Sequence, residues 1–283
     1  MESLKIKSAA KINITLDVLR RREDGFHDVK MIMQTVSLHD SIVLTAKKSG
    51  ISVRTNLEFL PCGEENTAYK AAKLFFKRTC LNEGISIAIT KRIPVAAGLA
   101  GGSGNAAAVL KGLNMMHGNR FTSEELADIA AEIGSDVPYC IYGGTMLAEG
   151  RGEILSRLPA MPQTIFLLAK PNISVSTKNV YRALNAAALT EHPDTAGCIK
   201  ALENGDINAV AVRMYNVLET VTLKKYKIIG DIKSKIIECG ALGSVMSGSG
   251  PTVIGMFGCE TAARRAEREL RKYTNEVYLT HTI

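Results

Sequence analysis

The stretch PVAAGLAGGSGNAAAVLKGLNMM, Pro94–Met116, sets a glycine-rich segment directly before a run of helix-forming residues. Four glycines fall within seven residues: Gly98, Gly101, Gly102 and Gly104. Each glycine costs conformational entropy on folding, so the cluster needs a physical reason. Glycines let an anion lie against the unpaired N–H groups at a helix N-terminus, where the helix dipole also attracts negative charge. The stretch therefore predicts a phosphate-binding loop over residues 94–104 and a helix from about residue 104.

Other interpretations of this loop stay open on its residues alone. A Walker loop would need a lysine after the last glycine, and none follows here. A Rossmann G-x-G-x-x-A pattern can be read at Gly102, Gly104 and Ala107, but the chain does not open with this unit as a parallel β-α-β fold would. A loop that merely ends a strand is the remaining alternative, but such a loop needs only one or two glycines.

The composition is that of a globular protein with a sizeable core. The 283 residues are 46% hydrophobic and 22% charged, which argues against disorder and suits one large domain or two packed ones. Tryptophan is absent and aromatic residues make up 5%, which argues against an aromatic nucleic-acid platform. The net charge of +7 suits an anionic substrate and equally an ordinary solvated surface.

The spacing of the cysteines and the length of the apolar runs bear on where in the cell the protein is found. The six cysteines lie far apart, without a Cys-x-x-Cys pair or a nearby histidine, so we expect reduced thiols and no zinc site. The first residues lack the apolar centre of a signal peptide, and no run of about 18 apolar residues occurs. We therefore expect a cytoplasmic protein with no membrane partner.

The N-terminal part of the chain reads as a β-rich meander. In AKINITLDVL, apolar and polar residues alternate, which predicts a half-buried strand with Lys11 and Asn13 on one face. Strands over residues 29–38 and 41–46 are expected on either side of a polar turn at His39–Asp40. Further strands are expected over residues 50–55 and 84–90.

Helix signals begin at Asn66, which predicts the N-cap of a helix that ends near Thr79. Thr122 and Glu125 form a capping box for a helix that Gly134 should stop. Later helices are expected at 177–188, 195–203, 206–219, 231–239 and 260–272, and later strands at 144–150, 163–171, 241–246, 252–257 and 276–281. Because strands and helices mix without strict alternation, an α+β fold is favoured over a doubly wound sheet.

The glycine stretch resembles the P-x-x-x-G-L-[GA]-[GS]-S-[SA]-[AN]-A signature of the GHMP kinase superfamily. The likeness continues through AKINITLDV, REDGFHDV, SDVPYCIYGGTMLAEGRGE, KPNISVSTKNVY and MSGSGPTVIGMF, from residue 8 to about residue 257. It implies a two-domain GHMP kinase fold with a ribosomal-protein-S5-like N-terminal domain, residues 1–158, and a ferredoxin-like α/β sandwich, residues 159–283. In one departure, Gly104 follows Ser103 where the family commonly has a second serine.

The resemblance also implies an ATP-dependent kinase that uses Mg²⁺ and a small-molecule alcohol carrying a cytidine diphosphate group. Lys11 and Asp136 match its catalytic ammonium and its catalytic base. Nucleotide contacts fall on Asn66, Lys91, Pro94, Val95, Ala96, Ala97, Gly98, Leu99, Ala100, Gly101, Gly102, Ser103 and Gly104. Substrate contacts fall on Asn13, Phe26, His27, Thr177 and Tyr181.

Position alone leaves two of these roles open. An aspartate just past Gly134 is typical of a helix N-cap, and a lysine opposite an apolar strand face is typically exposed. No carboxylate cluster for a metal is visible in the sequence, so we expect the phosphates and water to supply most Mg²⁺ ligands.

Two alternative functions remain at this stage. One is another GHMP small-molecule kinase, of the homoserine or mevalonate type. The other is a nucleic-acid-binding module, since ribosomal proteins share the implied N-terminal fold. The implied catalytic set argues against nucleic acid as the partner, and we expect a monomer or a weak homodimer.

Overall fold

The computed structural model describes residues 2–283, and the chain forms two compact units. The first unit contains the residues through Ala10, His39–Val95 and Ala100–Gly143; the second contains Lys11–Leu38, Ala96–Leu99 and Gly144–Ile283. The chain therefore passes between the units several times. The division at residues 158 and 159 expected from the resemblance concerns family domains, and it stays a prediction.

The first strand, β1 (Ser3–Arg21), is buried on both faces from Ala10 to Val18, so the expected half-buried strand is wrong there. Its polar residues are buried because other parts of the chain satisfy them. The Asp17 carboxylate, for example, lies 2.8 Å from Nδ1 of His192. Alternation of polar and apolar residues does not distinguish exposure to solvent from burial with a partner.

The second strand, β2 (His27–Lys47), runs without interruption through His39 and Asp40, so the turn predicted there is wrong. Asp40 is 0% exposed. Its carboxylate accepts hydrogen bonds from the main-chain N–H groups of Arg92, at 2.7 Å, and Ile93, at 2.9 Å. A charge satisfied in this way can occupy the middle of a buried strand.

The rest of the first unit packs helices against strands. Its elements are β3 (Ile51–Thr55), α1 (Thr67–Thr79), β4 (Gly84–Thr90), α2 (Gly101–Met116), α3 (Ser123–Ala131) and α4 (Val137–Tyr142). β4 pairs antiparallel with the C-terminal half of β2 and parallel with β3. Apolar side chains of the helices and these strands form one core, with Phe75, Ile87 and Leu110 fully buried.

Capping signals in the sequence are confirmed in this unit. The Asn66 side chain accepts a hydrogen bond from the Ala68 N–H, and Thr122 and Glu125 make a complete capping box at α3. Two helix ends differ from expectation: α2 begins at Gly101, and α3 ends at Ala131 ahead of Gly134. α2 begins early because Gly104 N–H already donates to the Ala100 carbonyl at 2.7 Å, so three of the glycines lie in its first turn.

The second unit contains the C-terminal half of β1, the N-terminal part of β2 and a separate four-stranded sheet. Its other elements are β5 (Thr145–Glu149), β6 (Ile154–Arg157), β7 (Ile165–Lys170), α5 (Thr177–Ala183), α6 (Thr195–Glu203), α7 (Ile207–Ala211), β8 (Tyr215–Asn216), α8 (Glu219–Lys225), α9 (Lys227–Glu238), β9 (Gly243–Met246), β10 (Val253–Phe257), α10 (Glu260–Leu270) and β11 (Glu276–His281). The four-stranded sheet has the order β11-β7-β10-β9, and every neighbouring pair in it is antiparallel. β8 pairs parallel with β1, and β5 pairs antiparallel with β2 and with β6. This mixture of helices and two kinds of sheet confirms the α+β class.

Two helix predictions in the second unit are wrong in part. The segment 206–219, expected as one helix, forms α7, β8 and the first residue of α8. The helix is interrupted because Asn216 is buried, where its side-chain amide makes three hydrogen bonds to main-chain groups. The expected helix over 177–188 ends at Ala183, and a short 3₁₀ turn follows at Ala186–Ala188. Among residues 2–283, no helix combines the length and apolarity needed to cross a membrane.

The capping box of α3 supports a stability prediction. Thr122→Ala removes the side-chain acceptor for the Glu125 N–H, and we expect it to lower the free energy of unfolding by about 1 kcal/mol. Urea denaturation measures the change. Thr122→Ser keeps the acceptor and should stay close to wild type; an equal loss in both variants would contradict the capping account.

Candidate active site

In the second unit, the main chain of Ser247 lies very close to Gly98. Gly98 has φ +75°, and a Cβ there would lie 2.2 Å from the Ser247 carbonyl oxygen. The Ser247 hydroxyl donates to the Gly98 carbonyl at 3.0 Å. A residue with a side chain is excluded at this position by the SGSGP turn, Ser247–Pro251, before any ligand is considered.

Packing also explains two glycines in the first unit. A Cβ at Gly101 would lie 3.1 Å from Nζ of Lys91, and one at Gly104 would lie 2.8 Å from Oγ of Ser8. Gly102 differs, since its nearest neighbour would be the Thr67 hydroxyl at 3.5 Å. Close packing of the chain therefore gives a reason for three of the four glycines without any ligand, and nucleotide contacts along residues 94–104 stay a prediction.

The N-terminus of α2 nevertheless has the character of an anion site. Its N-cap, Ala100, has a left-handed φ of 54°, and no side chain of the described residues caps the first turn. The Thr67 hydroxyl donates to the Gly102 carbonyl at 2.7 Å and so holds this turn to α1. N–H groups without a side-chain cap, at the positive end of a four-turn helix, suit a phosphate.

Two alanines in the loop are strained. Ala96 and Ala100 have φ of 51° and 54°, in the left-handed region that disfavours any residue with a Cβ. This costs about 1–2 kcal/mol at each position. Strained main chain held in place by its surroundings is often found at functional sites.

The polar residues expected at the nucleotide have structural partners. Asn66 caps α1 with its oxygen and donates from its amide nitrogen to the Pro61 carbonyl at 2.7 Å. The Lys91 ammonium, almost fully buried, pairs with Asp40, and the Lys91 N–H donates to the side chain of Asn56 at 2.7 Å. Nucleotide contacts by Asn66 and Lys91 stay predictions.

Asp136 begins α4 as its N-cap, but its carboxylate makes no capping hydrogen bond within the described chain. The other end of α4 is held by Lys111 of α2, whose ammonium donates to the carbonyls of Cys140, at 3.2 Å, and Ile141, at 3.3 Å. Burial lowers the pKa of Lys111 below its usual value. A lysine on α2 thus fixes the short helix that carries the expected base.

Lys11 in the second unit is 5% exposed, so the exposed-lysine interpretation is wrong. Its ammonium donates to Oδ1 of Asn13 at 2.7 Å, which confirms that the two side chains share a face of β1. The Lys11 N–H donates to the Leu99 carbonyl at 3.1 Å, and the Asn13 N–H points to the Ser247 hydroxyl at 3.4 Å. β1, residues 98–99 and the SGSGP turn therefore meet within this unit.

The segment after β8 holds the SGSGP turn in place. Asn216 donates from its amide to the carbonyls of Met246 and Gly248, both at 2.7 Å. Glu219 accepts from the Met246 N–H at 2.6 Å and pairs with Lys233. Neither Asn216 nor Glu219 stands in a recognisable motif, so the sequence gives no signal of this role.

The residues expected to hold the cytidine group also lie in the second unit. The rings of His27 and Tyr181 are 5.2 Å apart with a 42° angle between their planes. Burial, and secondarily Arg21, lowers the pKa of His27 below 6.5. Phe26 is 54% exposed, and the Arg151 guanidinium lies 5.4 Å from the centre of its ring. An exposed aromatic ring with a cation over it can stack on a base.

The start of α5 joins the SGSGP turn. The Thr177 hydroxyl lies 2.7 Å from the Ser249 hydroxyl, so the Thr177 position is tied to this turn. Across residues 2–283, no group of three or more His, Cys, Asp or Glu side chains is arranged to hold a metal ion.

Comparison with known proteins identifies the family to which the chain belongs. The model of the GHMP kinases N terminal domain matches residues 66–144, and that of the GHMP kinases C terminal region matches residues 198–276. A crystal structure of a homoserine kinase from Cytophaga hutchinsonii shares the fold, with a TM-score of 0.76 at 21% identity over 100% of this chain and 95% of that one. The chain belongs to the GHMP kinases.

Relatives that match the whole chain indicate which group of GHMP kinases it belongs to. A 4-diphosphocytidyl-2-C-methyl-D-erythritol kinase of Acetivibrio thermocellus is 48% identical over 283 residues, covering 100% of both chains. A crystal structure of 4-(cytidine 5'-diphospho)-2C-methyl-D-erythritol kinase has a TM-score of 0.86 at 31% identity, covering 99% of this chain and 100% of that one. Within the GHMP kinases, the chain falls in the 4-diphosphocytidyl-2-C-methyl-D-erythritol kinase family.

The contact at Gly104 explains the missing second serine. We expect Gly104→Ala to lower the free energy of unfolding by about 1–3 kcal/mol, because its Cβ would press on the Ser8 hydroxyl. Ser8→Ala should recover part of this loss in the double variant. Gly102→Ala, also in the first turn of α2, is the control and should cost nothing; equal losses at 102 and 104 would contradict the packing account.

The lowered pKa of His27 gives a pH prediction. Well above pH 6.5 the imidazole is neutral in both the folded and the unfolded state, so it contributes no pH dependence there. As the pH falls below 6.5, the unfolded chain takes up the proton first, and the folded state loses stability until the lowered pKa is passed. Urea midpoints at pH 7.5 and 5.5 should therefore separate more in wild type than in His27→Gln. If the two midpoints differ by the same amount in wild type and in His27→Gln, His27 is not the group responsible for this pH dependence.

Proposed function

We propose that the protein transfers the γ-phosphoryl group of ATP to the 2-hydroxyl of 4-diphosphocytidyl-2-C-methyl-D-erythritol, a step of the non-mevalonate isoprenoid precursor pathway. The observation that carries the proposal is the 48% identity over the whole chain to a kinase of that name. The N-terminal turn of α2, uncapped by side chains of the described residues, adds a site suited to the phosphates of ATP.

The nucleotide is assigned to the segment Pro94–Gly104. Main-chain N–H groups of the first turn of α2 would donate to the phosphates, so the loss of a second serine at Gly104 leaves these donors in place. Mg²⁺, bound mostly by phosphate oxygens and water, would neutralise part of the phosphate charge. Phosphoryl transfer depends mainly on such positioning and charge stabilisation.

The two catalytic roles come from the family resemblance, which matches Asp136 in the first unit to the base and Lys11 in the second unit to the ammonium. Asp136 takes the proton of the hydroxyl as its oxygen attacks the γ-phosphorus, and the bond from that phosphorus to the β-phosphate oxygen breaks to release ADP. The Lys11 ammonium, which Asn13 orients at 2.7 Å, stabilises the negative charge that develops on the hydroxyl oxygen. Its burial strengthens that electrostatic effect.

The cytidine diphosphate group is assigned to the second unit. His27 and Tyr181 form a ring pair against which a cytosine can stack, and Phe26 offers a further aromatic face. Thr177, whose hydroxyl lies 2.7 Å from that of Ser249, is assigned to the same substrate from the family resemblance. Six free cysteines are consistent with the cytoplasmic location expected from the sequence.

Release of ADP tests the function directly. With Mg²⁺ and ATP, the purified protein should release ADP on addition of the cytidine diphosphate alcohol and not with homoserine or mevalonate. Turnover of homoserine or mevalonate alone would replace this proposal with another GHMP kinase activity. Salt-sensitive RNA binding without ADP release would favour the nucleic-acid alternative.

Isosteric variants test the catalytic assignment. We expect Asp136→Asn and Lys11→Met each to lower kcat by about 10²–10⁴-fold, the usual contribution of a general base or of charge stabilisation. Lys170→Met is the matched control, since Lys170 is also largely buried but pairs with Glu276 at 2.6 Å. Near wild-type turnover in either active-site variant would remove that residue from the mechanism.

A further inference from the structure

A fully buried carboxylate of the first unit, that of Asp40, bonds to the residues that directly precede the glycine loop. Asp40 is 0% exposed in the middle of β2. Its carboxylate accepts from the N–H groups of Arg92, at 2.7 Å, and Ile93, at 2.9 Å, and pairs with the Lys91 ammonium. A buried carboxylate needs several such partners to offset the loss of water.

The fourth partner comes from α2. The Asn105 side chain, 3% exposed, faces Oδ2 of Asp40 at 2.8 Å and the Gly101 carbonyl at 2.6 Å. A carboxylate and a carbonyl only accept hydrogen bonds, so the amide nitrogen of Asn105 points at both. Ser8 of β1 lies 3.1 Å from the same amide atom.

These partners stand on either side of the glycine loop. Arg92 and Ile93 follow β4 and immediately precede Pro94, whereas Asn105 lies one helical turn after Gly101. A single carboxylate therefore binds the chain where it enters the loop and again where α2 begins. Nothing in the reaction assigned above uses Asp40 or Asn105 directly.

We propose that Asp40 and Asn105 are positioning residues, which fix the first turn of α2 so that its N–H groups are aimed at the phosphates of the nucleotide. The proposal rests on the function proposed above and adds to it the residues that set the geometry of the phosphate site. Donors at a helix N-terminus stabilise a transition state only when they are held in place, and a shift of about 1 Å can cost 10²-fold in rate.

Asn105→Ala is the sharpest test, because it releases α2 while the Asp40–Lys91 pair stays intact. We expect the KM for ATP to rise about tenfold, the change produced by losing one hydrogen bond to a charged group. The KM for the alcohol should stay within about twofold, since its contacts lie elsewhere. Hydrogen exchange of the amides of Gly101–Gly104 should become faster.

Asp40→Asn tests the other end of the contact. It turns the acceptor that faces Lys91 and Asn105 into a donor, and we expect at least the same rise in the KM for ATP. Glu276→Gln is the matched control, because it converts a carboxylate paired with the largely buried Lys170 on the four-stranded sheet. This control should leave both KM values unchanged. Should Asp40→Asn fail to fold, Asn105→Ala still decides the question.

The outcomes separate this proposal from the function it rests on. Wild-type ATP affinity and unchanged amide exchange in folded Asn105→Ala would overturn the positioning role while the kinase assignment stands. An equal rise in the KM for ATP in Glu276→Gln would also overturn it, since the effect would then be general loosening. If calorimetry finds that the wild-type protein binds no ADP, the assigned nucleotide site fails and the positioning role fails with it.

Discussion

Around the glycine stretch, other parts of the chain approach the main chain so closely that a side chain would not fit at Gly98 or Gly104. The Ser247 carbonyl occupies the space beside Gly98, and the Ser8 hydroxyl and Ala9 carbonyl occupy that beside Gly104. These approaches determine how the SGSGP turn meets residues 98–99 in one unit and how α2 packs on the start of β1 in the other. The shape of the glycine loop is therefore set by the packing of the protein itself.

Much of the fold follows from local signals. Asn66 and the Thr122–Glu125 box start the helices that they predict, because capping depends on hydrogen bonds between residues two or three positions apart. The strands over 84–90 and 276–281 were equally predictable from their alternation and length. Each of these elements carries its own evidence within about ten residues.

The failures have a common physical cause in long-range polar contacts. His39–Asp40 reads as a turn because its partners, Lys91 to Ile93, lie some fifty residues away. Asn216 breaks an expected helix because it serves carbonyls of Met246 and Gly248. For the candidate site, the family motifs pointed to Lys11 and the loop, but no local pattern could show that Lys11 is buried or that Asn105 reaches Asp40.

The left-handed alanines at 96 and 100 have an evolutionary consequence. Main-chain shape limits substitution at these two positions: glycine and asparagine adopt a left-handed φ readily, whereas valine, isoleucine and threonine adopt it only at a high cost. Substitutions at positions 96 and 100 are therefore expected to be exchanges among small residues. The two positions therefore limit the loop to small side chains through the shape of its main chain.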